Sequence, residues 1–121
     1  MDTNKTDLRV SEMLELSYKL WDKHKDSWSP MEPQYGKTFI LYMIEEIGEA
    51  IVIIKKKGEE SIMDEEEIRE HFIEELGDVI MYFMDVLNRF NISAEEFSEI
   101  YMRKFEKNIN RNYKKEYKNI K

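Results

Sequence analysis

Two hexapeptides concentrate the acidic chemistry of this chain: Glu45-Glu46-Ile47-Gly48-Glu49-Ala50 and Glu74-Glu75-Leu76-Gly77-Asp78-Val79. Both read Glu-Glu-aliphatic-Gly-acid-small. On a helix, residues three apart share a face, with Cβ atoms about 5 to 6 Å apart. Glu46 therefore pairs with Glu49, and Glu75 with Asp78, so each segment presents a two-carboxylate claw. Their apolar neighbours place the claws at the edges of buried faces. Four carboxylates converging there would repel one another, raising their pKa values or destabilising the fold, and a divalent cation removes the conflict. An all-oxygen donor set, with no cysteine and no matched histidine pair in the chain, suits Mg²⁺, with Mn²⁺ as a substitute, rather than zinc. A helix-interior glycine costs roughly 1 kcal/mol relative to alanine. Its recurrence inside both claws calls for a compensation, either close helix approach or room beside the carboxylates.

The elements that must position these claws are helices. Both prolines, Pro30 and Pro33, fall in one short stretch, which leaves the remainder free of the strongest helix breaker. Thr6 or Asp7 can cap a first helix over roughly 7–26, with Val10, Met13, Leu14, Leu20 and Trp21 at three- and four-residue spacing. A second helix is expected from about Gln34 to Lys57, closed by three lysines at the negative end of its dipole and by Gly58 as a left-handed cap. Ile51-Val52-Ile53-Ile54 has strand composition but continues a long helical pattern, so it is read as helix. Asp64 and Glu67 have capping-box spacing and open a third helix to about Phe90. Ser93 and Glu96 repeat the device for a fourth, which frays in the lysine-rich segment after Arg111. The expected fold is an all-α four-helix bundle in a single domain over 1–121, with a basic tail from about 112. Helix 2 is apolar around most of its circumference, more than a monomer of this size usually covers, which predicts oligomerisation.

Composition narrows the classes of function. Nineteen Lys and Arg against 26 Asp and Glu give a formal charge of −7, which disfavours a general nucleic-acid binder. Apolar runs are interrupted well short of a membrane span. The N-terminal residues lack a signal-peptide apolar core, so the expected setting is cytoplasmic.

The spacing Glu45-Glu46-x-x-Glu49, followed after a loop by Glu75-x-x-Asp78, resembles the signature of the MazG-like, all-α nucleoside triphosphate pyrophosphohydrolases, a superfamily that includes dCTP pyrophosphatases and dimeric dUTPases. The resemblance runs from about Trp28 to Arg111. It implies a helical homodimer or homotetramer, Mg²⁺ dependence, and hydrolysis of a nucleoside triphosphate to monophosphate and pyrophosphate. It also implies Glu46, Glu49, Glu75 and Asp78 as metal ligands, and Glu45 as a water-orienting or supporting group. The chemistry is consistent with the residues themselves. A triphosphate carries about four negative charges and enters an acidic pocket only with Mg²⁺ bridging carboxylates to phosphate oxygens. With no Ser-His or Cys-His arrangement evident, the economical route is attack of a metal-activated water on the α-phosphorus, with Glu45 or Glu49 orienting or deprotonating that water.

Cations for the outer phosphates are sought in the C-terminal segment, where eight Lys and Arg from Tyr101 onward face only Glu106 and Glu116. Lys104, Lys107, Asn108 and Arg111 are spaced along one helical face, and Lys107-Asn108-x-Asn110-Arg111 is similar to the basic segment that follows the second claw in dimeric dUTPases. Tyr82, one turn after Asp78, either faces the nucleotide or packs. Trp28 either stacks on a base or plugs the core. Lys55-Lys56-Lys57-Gly58 stands where dCTP-type relatives carry a tryptophan, a departure from that subgroup's base sandwich. His24 and His71 are expected at the surface, His71 one turn before Glu75. The competing reading is a non-catalytic, oligomeric partner-binding module whose claws are surface charge. A di-iron carboxylate bundle would need Glu-x-x-His pairs on two helices, which the chain lacks.

Overall fold

A computed structural model describes residues 7–112. The chain forms α1 (Val10–His24), a single 3-10 turn (Pro33–Tyr35), α2 (Gly36–Lys57), a short α3 (Glu59–Asp64), α4 (Glu66–Arg89) and α5 (Ala94–Ile109). There is no strand among the described residues. The four long helices of the expected bundle are present. Thr6 and, apart from Asn112, the lysine-rich segment after Arg111 where fraying is expected lie outside the described residues.

Local chemistry sets the boundaries. The α1 cap is Arg9 rather than Asp7, because the Glu12 carboxylate reaches back to accept the Arg9 amide at 2.8 Å. Ser93 caps α5 as its spacing predicts, its hydroxyl accepting the Glu96 amide at 3.1 Å. Gly58 ends α2 and donates its N–H to the Ile54 carbonyl at 2.9 Å. Its φ of 83° and ψ of 159° are extended rather than helical, a conformation natural to glycine alone, and it redirects the chain straight into α3.

The third helix begins differently from the expectation. Asp64 does not cap it. Asp64 is the last residue of α3, its backbone is helical, and the Glu65 amide closes that helix on the Ser61 carbonyl at 2.8 Å. An N-cap requires non-helical backbone, and here Glu65 provides it at φ −106°, ψ 114°. The driving contact is Ile62, which α3 turns inward and buries. Glu59 and Glu60 meanwhile sit favourably in its first turn.

Packing then sets the register. Phe39 near the start of α2 meets Tyr82 in the second half of α4, with ring centroids 6.1 Å apart, while Ile53 late in α2 lies with Ile68 early in α4. The two helices therefore run antiparallel. α1 lies on α4, pinned by Ser17 Oγ donating to the Met81 carbonyl at 3.3 Å and Asn88 Nδ2 donating to the Leu14 carbonyl at 3.0 Å. Leu14, Met84 and Leu87 form the buried cluster under Val10, Phe83 and Phe97. Much apolar surface stays outside a single protomer: Ile44 is 55% and Ile51 50% exposed, with Ile40, Leu41, Ile47, Leu76 and Ile80 also open. Isolated exposed leucines are ordinary, but a run along two adjoining helices is the kind of surface that a partner covers.

Neither glycine inside the claws serves a close approach within the protomer. A Cβ built on Gly48 or Gly77 meets nothing within 4 Å. Both positions face open space, and Gly77 borders the apolar groove between α1 and α4.

Candidate active site

The antiparallel register of α2 and α4 brings three carboxylates together. Glu46, Glu75 and Asp78 each offer an oxygen within 4.8 Å of the others, and all three side chains are half-buried. Glu75 and Asp78 meet because they are three apart on α4, whereas Glu46 joins them across the helix interface. The electrostatic cost is visible on Glu46, whose carboxyl is pushed up to about 7 from an ordinary value near 4.5. Burial is the largest cause. A hydrogen bond with Glu75, which requires a proton between the two groups, comes next, followed by the charges of Asp78, Glu75 and Glu49. The Tyr82 phenol is also raised, first by burial and then by the nearby charges of Glu46 and Asp78.

The remaining expected ligand, Glu49, stands apart from this triad. It is exposed and borders a second cavity of about 340 Å³ with Lys56, Lys57 and His71. His71 is exposed as expected, and its Nε2 lies 3.3 Å from Glu75 Oε1. Glu45 is exposed, and its charge is felt at Tyr82. The triad thus lies between two unlike ends of the α2–α4 groove, one carrying lysines and a histidine, the other aromatic.

At the aromatic end a cavity of about 170 Å³ adjoins Glu46 and Asp78 and is walled by Trp28, Phe39 and Tyr82. Trp28 stacks on His24 with centroids 5.0 Å apart and planes at 25°, so one face of the indole is taken and the side chain is held beside the cavity. Tyr42 joins Phe39 and Tyr82 in a three-ring cluster. Both Trp28 and Tyr82 therefore border the space next to the acids.

The expected phosphate-binding residues are not brought there within one protomer. Phe97 near the start of α5 packs on Phe83 in the second half of α4, with centroids 5.4 Å apart, and α5 also lies against α1, away from α2. Lys104 and Lys107 are exposed, Asn108 is half-buried, and Arg111 follows the helix end. None of these four residues lines either cavity flanking the triad.

One feature of the site escapes a reading of the sequence. Asp85 and Arg89, four residues apart on α4, are both buried, the guanidinium completely. Arg89 Nε donates to Asp85 Oδ1 at 2.5 Å and Nη2 to Oδ2 at 3.5 Å, while Nη1 donates to the Pro30 carbonyl at 2.5 Å. The guanidinium carbon also sits 3.8 Å from the Phe39 ring centroid. This network ties α4 to α2 and to the loop that carries Trp28. Burial raises the Asp85 carboxyl, opposed by its bond to Arg89 and by the Arg89 charge.

The all-oxygen triad, with a proton held where cationic charge would serve better, fits a hard divalent ion. No helix among the described residues is long and apolar enough to cross a membrane. No curated protein and no solved structure gives a significant match to the chain. Residues 34–114, which contain all three acids of the triad, match the family model for the MazG nucleotide pyrophosphohydrolase domain. With about two-thirds of its length matched, the chain belongs to the MazG nucleotide pyrophosphohydrolase family.

Proposed function

We propose that the protein is a Mg²⁺-dependent nucleoside triphosphate pyrophosphohydrolase that converts an NTP or dNTP and water to the monophosphate and pyrophosphate. The observation that carries this reading is the meeting of Glu46, Glu75 and Asp78 beside an aromatic-walled cavity, with one of the acids forced to hold a proton near neutral pH. Mg²⁺, or Mn²⁺ in its place, would supply the Lewis acidity that lets carboxylates and phosphates occupy one site and makes water acidic enough to attack phosphorus.

The residues of the chain divide the remaining work. Glu46, Glu75 and Asp78 would hold the ion, with Glu49 at the rim as a fourth donor. Glu45 or Glu49 orients the attacking water toward the α-phosphorus. Trp28 and Tyr82 take the base, since both wall the cavity next to the acids. Lys104, Lys107, Asn108 and Arg111 bind the outer phosphates from a second copy of the chain, because α5 of the same protomer lies elsewhere. The open apolar faces of α2 and α4 provide the contact for such a homodimer or homotetramer, working in the cytoplasm on free nucleotides rather than on nucleic acid or at a membrane.

The test is a panel of ribo- and deoxyribonucleoside triphosphates, with and without Mg²⁺, analysed for monophosphate and pyrophosphate. Release of diphosphate and orthophosphate would contradict attack at the α-phosphorus. Absence of turnover on every nucleotide would leave a non-catalytic helical module.

A further inference from the structure

We infer that Asp85 is a specificity-determining residue that selects nucleotides whose base carries an exocyclic amino group. The inference rests on the proposed hydrolysis of nucleoside triphosphates and concerns the far end of the same cavity. Asp85 lines that cavity together with Ser17, Trp28, Phe39 and Tyr82, yet the residue is only 4% exposed. Its carboxylate is thus a buried charge at the inner wall of the aromatic space.

The direction along α4 suits a nucleotide. Asp85 lies seven residues beyond Asp78, about 10 Å at the helical rise. That is the scale of the path from an α-phosphate across a ribose to the outer edge of a base. A nucleotide anchored by its phosphates at Glu46, Glu75 and Asp78, with its base between the rings, would turn that edge toward Asp85.

The chemistry of the carboxylate then decides which edge it accepts. An ionised carboxylate only accepts hydrogen bonds and has about four lone-pair positions. Arg89 occupies Oδ1 closely, at 2.5 Å, but reaches Oδ2 at 3.5 Å, the outer limit of a hydrogen bond. Oδ2 therefore retains acceptor capacity. The Ser17 hydroxyl, the other small polar group on this wall, already gives its proton to the Met81 carbonyl. An amino group on the base would satisfy the carboxylate. A carbonyl oxygen at the same position would set acceptor against acceptor in a buried site, where an unmet polar group costs most. Arg89 holds Asp85 in place, and its bond to the Pro30 carbonyl fixes the loop bearing Trp28 in the same network.

Paired nucleotides that differ at that one position test the assignment. For the wild-type protein, kcat/KM for dCTP over dUTP and for ATP over ITP should favour the amino-bearing member by at least tenfold. Asp85→Asn, whose amide can donate to a carbonyl, should cut at least one ratio to threefold or less while circular dichroism still reports a helical fold. Equal ratios in the wild type, or an unchanged preference in the folded variant, would overturn the role of Asp85. Calorimetric binding of CMP against UMP to the wild-type protein reads the same preference without turnover or mutation. Tighter CMP binding supports the inference and equal binding overturns it. Hydrolysis of all four triphosphates without discrimination would refute Asp85 alone, and CMP preference without any hydrolysis would refute the enzymatic reading alone.

Discussion

Replacing Glu46 with glutamine should stabilise the metal-free protein while abolishing its response to Mg²⁺. The Glu46 carboxyl is raised from near 4.5 to about 7, so folding takes up a proton between those values. A group raised on folding contributes its stability fully below about pH 4.5 and loses it as the pH rises through 7. At about 1.36 kcal/mol for each pH unit, the gap sets a ceiling of about 3.4 kcal/mol. Glu46 borders a cleft open to water, and screening there reduces the expected effect to about 1 to 2 kcal/mol. For a domain of this size that is a rise in Tm of about 4 to 8 °C for Glu46→Gln at pH 8, with little difference from wild type at pH 5. Thermal unfolding followed by circular dichroism at both pH values, with chelator or with Mg²⁺, measures it. Wild type should gain about 2.7 kcal/mol once Mg²⁺ reaches a hundred times its dissociation constant, and the variant almost nothing. A variant less stable than wild type at pH 8 without metal, or one that keeps the wild-type dependence on pH, would refute the idea that these acids repel one another.

Three further outcomes follow from the same geometry. Asp78→Asn and Arg111→Ala should each retain helicity and lose activity, the first by about 10²-fold or more in kcat, the second by about tenfold through KM; under the proposal that α5 serves another protomer's triad, mixing the two variants under exchange conditions should restore turnover, and a mixture no more active than its components would refute the shared site. Arg89→Met leaves Asp85 as a buried, unpaired charge and should cost about 3 to 5 kcal/mol in urea denaturation, so a loss below about 1 kcal/mol would show that the network is dispensable. Gly48→Ala adds a methyl into open space and should raise stability by about 0.5 to 1 kcal/mol in dilute protein, whereas a fall would mean that a second chain presses on this face.

What could be read along the chain and what could not separates by the range of the interactions. The Ser93 cap, the stop at Gly58 and the pairing of Glu75 with Asp78 are fixed within one turn of backbone, where 3.6 residues per turn leaves little freedom. The α3 turn was not legible because Asp64 and Glu67 have the spacing of a cap, and only the burial of Ile62 against other elements decides that the helix breaks at Glu65. The Asp85–Arg89 pair has the spacing of an ordinary surface ion pair. Its burial comes from Pro30 and Phe39, some fifty residues earlier in the chain.

The amino-acid order by itself determined the four long helices, the two acidic claws and the family that they mark, since each depends on neighbours a few residues apart. Tertiary structure alone decided that Glu46 meets Glu75 and Asp78 across the helix interface, that Asp85 lines the aromatic cavity, and that α5 lines neither cavity flanking the acids of its own protomer. Helix-to-helix register is set by side chains from distant positions packing together, and no local spacing encodes it.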